Sequence, residues 1–202
     1  MSLLTRSKRV LLFGEGYTEK LLSLFGSSII GYWPGNEPAG SVAYDLSGRG
    51  YHGAYTGVEL GQPGAGDGLT CPLYDGSLDF MDFYSAGFAG AYNFDEVTFF
   101  GWMKVSAAGV WTDGTVNRVV YIANSLGGLW LTIQTLAAGN QLYFESGGAV
   151  TVAGQSSADW LHVGITRSAS ANQMKAYISG AQAGGTQVAG VLSGTMGSTR
   201  AL

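Results

Sequence analysis

The sequence predicts an all-β protein, an antiparallel two-sheet sandwich with a short N-terminal helix and arm, and three observations carry that prediction. In residues 160–167, Leu161, Val163 and Ile165 fall on one face while Trp160, His162 and Thr166 fall on the other. In residues 174–179, Met174, Ala176 and Ile178 oppose Lys175, Tyr177 and Ser179 in the same way. Period-two alternation on both sides of a Ser/Ala/Asn connector is the pattern of an antiparallel hairpin, and Gly180 supplies the next turn. The second observation is 33 Gly against only four Pro, which indicates tight turns rather than a proline-rich linker. The third is spacing: short alternating runs recur at nearly regular intervals with a single helix candidate, which favours a sandwich over βαβ units.

Taken in order, residues 1–16 read as an arm. Residues 18–25 form the helix candidate, with Thr18 placed to cap, Glu19 at the positive end and Gly26 closing. Its apolar stripe of Leu21, Leu22 and Phe25 needs a partner, because two turns of helix are unstable alone. The expected partner is the domain body or a neighbouring subunit. Ile29, Ile30, Tyr32 and Trp33 then predict a short strand ended by Pro34 and Gly35. A turn-rich stretch carrying Tyr44, Tyr51 and Tyr55 follows, and residues 61–76 read mostly as loop. Residues 78–84 predict another strand. In residues 94–105, Val97, Phe99, Gly101 and Met103 face one way and Thr98, Phe100, Trp102 and Lys104 the other. Both faces are largely apolar, the expectation for a central strand between two layers. Further strands are expected at 118–123, 129–135, 141–145 and 150–153, and the last 20 residues read as a loose strand or an arm.

At 202 residues the chain suits one domain, with an arm and helix at 1–27 and the sandwich at 28–202. Hydrophobic residues make up 46% and aromatics 12%, ample for a core. Charged residues are only 12%, against about 25% in ordinary soluble domains. The surface therefore relies on Gly, Ser, Thr, Asn and Gln, as suits an extracellular or particle-bound protein. A net charge of −4 argues against a nucleic-acid partner. Arg6, Lys8 and Arg9 form a basic trio that suits an acidic partner, or a plain solvated terminus. The single cysteine, Cys71, excludes an internal disulfide and reads as a small packed residue. Residues 10–13 are too short an apolar run for a signal peptide, so synthesis in a cytoplasm without Sec export is expected. No run of residues reaches membrane-spanning length, so no membrane insertion is expected.

Three motifs, in order, carry a resemblance. Tyr32, Trp33, Pro34, Asn36 and Glu37 precede Asp45, Ser47, Gly48, Gly50 and Gly53; Trp102 lies in a central-strand motif; Trp160, His162, Val163, Thr166 and Tyr177 mark a hairpin. Together, across residues 28–182, they resemble the laminin-G-like, concanavalin-A-type jelly-roll domains of lectins and glucanases. The resemblance implies a jelly-roll sandwich, and the arm and helix are similar to those of such modules in virion proteins of tailed bacteriophages. It also implies a closing strand after the hairpin, whose place this sequence reaches near Leu202. The edge is then expected to be left to another chain, or the strand to lie outside the sequence.

The same fold family includes glycan hydrolases, which need two carboxylates across a cleft. Asp75, Asp79 and Asp82 sit beside glycine and serine in what reads as a solvated loop, and His52 and His162 belong to different motifs. No catalytic residue is therefore assigned, and a hydrolase is the weakest reading. His162 reads as a packed hairpin residue and His52 as a surface turn residue. Trp33, Trp102 and Trp160 read as core because they alternate with apolar neighbours. Trp111, in a polar loop, suits stacking on a sugar or filling a gap beneath that loop; Tyr51 and Tyr55 join it as candidate glycan-binding groups. No cofactor is certain. The resemblance implies Ca²⁺ at Asn36, Glu37 and Asp45, against a plain Asx-turn between Asp45 and Ser47.

The expected function is a non-catalytic virion decoration or adhesion protein. Arg6, Lys8, Arg9, Leu21, Leu22 and Phe25 would dock it to viral particle proteins or to further copies of itself, and the sandwich would be presented to surface glycans or proteins. A free-standing carbohydrate-binding lectin domain is the alternative.

Overall fold

The computed structural model describes residues 15–66, 68–76, 78–126, 128–137 and 139–201. It is an antiparallel β-sandwich, as the alternation predicts. The strands are β1 (Val42–Ala43), β2 (Gly53–Thr56), β3 (Glu59–Pro63), β4 (Thr70–Leu73), β5 (Phe80–Asp82), β6 (Glu96–Met103) and β7 (Arg118–Asn124). They continue with β8 (Leu129–Thr135), β9 (Gln141–Glu145), β10 (Ala149–Ala153), β11 (Leu161–Ser168), β12 (Gln173–Ile178), β13 (Ala181–Gln187) and β14 (Met196–Ala201). One sheet has eight strands in the order β1-β2-β5-β14-β7-β8-β9-β10, the facing sheet has four in the order β13-β12-β11-β6, and β3 and β4 form a separate ribbon.

Between the sheets lie the side chains that alternation sent inward. Val120 and Ile122 of β7, Leu131 and Ile133 of β8, and Leu142 and Phe144 of β9 meet Val163 and Ile165 of β11 and Met174 of β12 in one buried cluster. Each such side chain stabilises the fold by about 1.5–3 kcal/mol through burial. Arg167 is the charged member of this interior at 3% exposure. Its Nε donates to the Phe94 carbonyl at 2.7 Å and its Nη1 to the Ser146 carbonyl at 3.2 Å, joining the two sheets.

Four expectations change. The N-terminal helix α1 runs Glu15–Phe25, so Thr18 lies inside it and does not cap; Thr18 Oγ1 instead meets the Tyr32 hydroxyl at 3.0 Å. Residues 29–33 are extended but form no strand, because their backbone serves a loop: Leu46 N–H donates to the Tyr32 carbonyl at 2.8 Å and Arg49 Nε to the Ile29 carbonyl at 2.8 Å. Residues 61–76 contain most of the β3–β4 ribbon rather than plain loop. A second helix, α2 (Ala86–Ala91), is capped by Ser85, whose Oγ accepts the Phe88 N–H at 3.0 Å.

The sheet edges differ most from expectation. β6 is not central: among the described residues its strand neighbour is β11, from Leu161↔Met103 to Ser168↔Glu96. The edge beside the hairpin is not left open, since β13 pairs with β12. Chain beyond it returns as β14, seated between β5 and β7 in the larger sheet.

Candidate functional site

The Asp-x-Ser-Gly run builds a tight loop around Asp45. Oδ1 of Asp45 accepts the backbone N–H groups of Tyr32 at 2.9 Å and Ser47 at 2.8 Å; Oδ2 accepts the Ser47 hydroxyl at 2.8 Å and the Tyr51 N–H at 2.9 Å. The Ser47 bond closes the Asx-turn. Gly48 and Gly50 hold φ of 86° and 72°, the left-handed region that glycine enters without a Cβ clash, which lets the chain curl around the carboxylate. Burial raises the Asp45 pKa, but these donors outweigh it and hold the carboxyl below the ordinary range.

Glu37 is engaged in the same way. Its Oε1 accepts the Tyr44 N–H at 2.8 Å and its Oε2 the Tyr55 hydroxyl at 2.9 Å. Burial, with this bond to Glu37, pushes the Tyr55 hydroxyl pKa strongly upward. The two carboxylates expected at a calcium site thus face protein donors. Asn36 offers its backbone carbonyl to Thr70 Oγ1 at 2.8 Å. Among the described residues no group of three His, Cys, Asp or Glu is arranged to hold a metal ion. The segment acts as a structural clasp.

The expected sugar-stacking trio is not a surface. Trp111 is 1% exposed and its Nε1 donates to the Ser157 carbonyl at 2.8 Å, so it fills the space beneath its loop. Tyr55 is 8% exposed. Tyr51 is half-buried, with its ring edge-on to Phe88 at 6.1 Å. The three aspartates accept bonds from the chain itself: Asp75 from the Leu78 N–H at 3.3 Å, Asp79 from the Asp75 N–H at 3.1 Å, and Asp82 from the Tyr84 N–H at 2.9 Å and the Thr199 hydroxyl of β14 at 3.1 Å. His52 is exposed and its Nδ1 accepts the Asp45 N–H at 3.0 Å.

Of the expected docking residues, Arg6, Lys8 and Arg9 lie outside the described residues. Leu21 is buried at 6% exposure, so it already packs on the domain and offers nothing to a partner; Leu22 is half-buried and Phe25 remains half-exposed. Phe25 lies 6.0 Å from the Phe100 ring.

That contact leads to the side-chain cluster that best fits a binding face, on the outer side of the four-stranded sheet. Alternation sends Phe100 and Trp102 of β6, His162 of β11 and Tyr177 of β12 away from the core. Trp102 is 51% exposed, and its ring stands edge-on to His162 at 5.2 Å, with Phe100 5.8 Å from the same imidazole. In the next row Phe100 and Tyr177 both pair with Gly164, which is itself buried between them. A Cβ on Gly164 would come within 3.4 Å of the Phe100 Cβ. Thr98, Thr166 and Lys175 form the following row and supply hydroxyl and ammonium groups. Each of these residues stood in an alternating run in the sequence. What the sequence lacked was the pairing of β6 with β11, which sets Trp102 opposite His162 on an open face and corrects its expected place in the core.

The fold and this face define an antiparallel β-sandwich with an aromatic, polar-fringed sheet surface. No protein-family model and no curated protein matches the sequence. Among solved structures, the chain is similar to domains LG4-5 of the mouse laminin α1 chain, with 14% sequence identity and a TM-score of 0.38 over 53% of this chain and 28% of that one. The match therefore spans less than a third of that laminin chain.

Proposed function

We propose that this chain is a non-catalytic adhesion module that binds glycan on the outer face of its four-stranded sheet. The observation that carries the reading is the half-exposed Trp102 edge-on to His162 on the outer face of the sheet. An aromatic face covers the apolar C–H side of a sugar ring, while hydroxyl and ammonium groups meet its hydroxyls. Thr98, Thr166 and Lys175 provide those partners two rows from Trp102 on the same face. The engagement of Asp45, Glu37 and Asp82 by structural donors supports a binding role over hydrolysis.

The module's place is the surface of a virion, with particle proteins as its docking partners. Support for this comes from the sequence: its resemblance to phage-encoded modules and its 12% charged content. Co-sedimentation of the full chain with intact particles, lost on removal of residues 1–27, tests the placement. Titration of an oligosaccharide panel by calorimetry tests the glycan reading, with Trp102→Ala as the control. Binding of a protein ligand but no saccharide by this face would replace glycan with protein as its target.

A further inference from the structure

We propose that the outer face of the eight-stranded sheet binds a saccharide carrying carboxylate groups, held by Arg118 and Arg200. This face lies on the opposite side of the sandwich from Trp102, so the site goes beyond the glycan reading above and stands without it. Its basis is a division among the arginines of the described residues. Arg167 gives its donors to the Phe94 and Ser146 carbonyls. Arg49 gives Nε to the Ile29 carbonyl at 2.8 Å and Nη2 to the Ser27 carbonyl at 2.6 Å. Arg118 and Arg200 are exposed instead. Among the described residues neither donates a hydrogen bond to the protein, and neither has a carboxylate oxygen within 4.0 Å.

Strand alternation brings these two side chains together. Val120 and Ile122 of β7 and Thr199 of β14 are buried in the core, so Tyr121 and Arg200 point outward. The register sets Arg200 directly opposite Tyr121, and Arg118 opposite Gln134 of β8. The guanidinium carbon of Arg118 lies over the Tyr121 ring, 5.1 Å from its centre, and that of Arg200 lies over Phe80 of β5 at 4.0 Å. Each ring holds its cation by cation–π attraction, while the N–H groups remain available to an acceptor from outside. Two positioned guanidinium groups thus flank Tyr121. The carboxylates of β5, β14, β7, β8 and β9 do not neutralise them. Glu145 accepts the Tyr143 hydroxyl at 2.9 Å, and Asp82 accepts its bonds from Tyr84 and Thr199.

A planar guanidinium matches a carboxylate through two parallel N–H···O bonds, which makes the ligand an anion. Its class follows from what else the face offers. Nucleic acid is held by a row of phosphate contacts, and an anionic membrane by a cluster of about four or more basic residues; this face presents only the Arg118 and Arg200 pair. A protein partner needs an apolar centre to desolvate. Among the described residues, β5, β14, β7, β8 and β9 carry no large hydrophobic side chain that is exposed. Beside the arginines stand polar groups, Gln134 opposite Arg118 and Tyr143 opposite Gln134. Amide and phenol groups next to fixed cations suit sugar hydroxyls next to carboxylates.

Calorimetric titration of the full chain with oligogalacturonate tests this, with the fully methyl-esterified oligosaccharide as its uncharged counterpart. The parent chain is predicted to bind the acid and not the ester, and to bind it more weakly as salt rises. Arg118→Ala and Arg200→Ala each weaken binding about tenfold, with melting temperature unchanged because both side chains are exposed. Arg200→Lys does not recover the parental affinity, since an ammonium lacks the two-pronged geometry. Trp102→Ala leaves the affinity for the acid as it was, which separates this site from the other face. No binding of the acid, or equal binding of acid and ester, overturns the inference. So does an affinity that both arginine variants keep, or one that Trp102→Ala abolishes. Binding of polyglutamate without binding of oligogalacturonate overturns the saccharide in favour of an acidic protein segment.

Discussion

The Nη1 of Arg167 donates to the carbonyl of Ser146 at 3.2 Å across the interior of the sandwich. Ser146 in turn sends its hydroxyl to the Trp130 carbonyl at 2.8 Å, and the same guanidinium holds the Phe94 carbonyl ahead of β6. Asp95 stands 3.6 Å from it, on the exposed side. One side chain thus joins β11, the entry to β6 and the turn after β9. Arg167→Ala leaves two carbonyls without this donor in a buried setting. We predict a loss of about 2–4 kcal/mol, read by urea denaturation, with the all-β circular-dichroism signature kept. Arg167→Lys recovers only part, since one ammonium cannot reproduce the forked geometry.

Asp45 predicts a pH dependence. Its folded pKa is held below the ordinary aspartate range, so the unfolded state binds the proton more tightly. Its contribution is fully present above about pH 4, the range of an unperturbed aspartate, and is lost as pH falls through the lower folded value. Asp45→Asn removes the charge from a carboxylate that takes four donors. Relative to the parent chain it is predicted to be about 1–3 kcal/mol less stable at pH 7. Denaturation curves collected downward from pH 6 test the sign: the gap between the two proteins narrows only below about pH 4.

Calcium chelation gives a separate outcome. Glu37 and Asp45 accept bonds from Tyr44, Tyr55, Tyr32, Ser47 and Tyr51, which leaves them facing donors rather than a cation. Melting temperatures with excess Ca²⁺ and with EGTA are predicted to coincide. A rise on adding Ca²⁺ shows binding to the folded state, and its loss in Asp45→Asn would restore these residues as ligands.

Trp111 separates stability from binding. Buried at 1% exposure with its Nε1 on Ser157, it supports the loop ahead of β7. Trp111→Ala is predicted to cost about 3–5 kcal/mol, as large-to-small core changes do, while saccharide affinity measured below the lowered melting point stays unchanged.

Strands with both turn signals and alternation were legible in the sequence: residues 129–135 and 141–145 match β8 and β9 end to end, and the hairpin shifts by one residue. Apolar content without a ladder partner misled at 29–33, where loop carbonyls and Asp45 take the backbone's bonds. The Ser85 cap of α2 was a readable signal in a stretch without apolar periodicity. Site residues were harder, for a physical reason. Trp111 sits in a polar loop yet fills a cavity, while Trp102 sits in an apolar strand yet faces solvent at an edge. Burial of a loop or an edge depends on the strand beside it, and local sequence does not encode that neighbour.

The central claim is that the outer face of the four-stranded sheet holds a saccharide against Trp102. Calorimetric titration of the parent chain and Trp102→Ala with one saccharide bound by the parent tests it most directly. Loss of a stacking ring is predicted to weaken affinity at least tenfold, worth about 1.4 kcal/mol, with melting temperature nearly unchanged because Trp102 is half-exposed. Saccharide binding that Trp102→Ala retains at parental affinity contradicts the claim and puts the site elsewhere on the molecule.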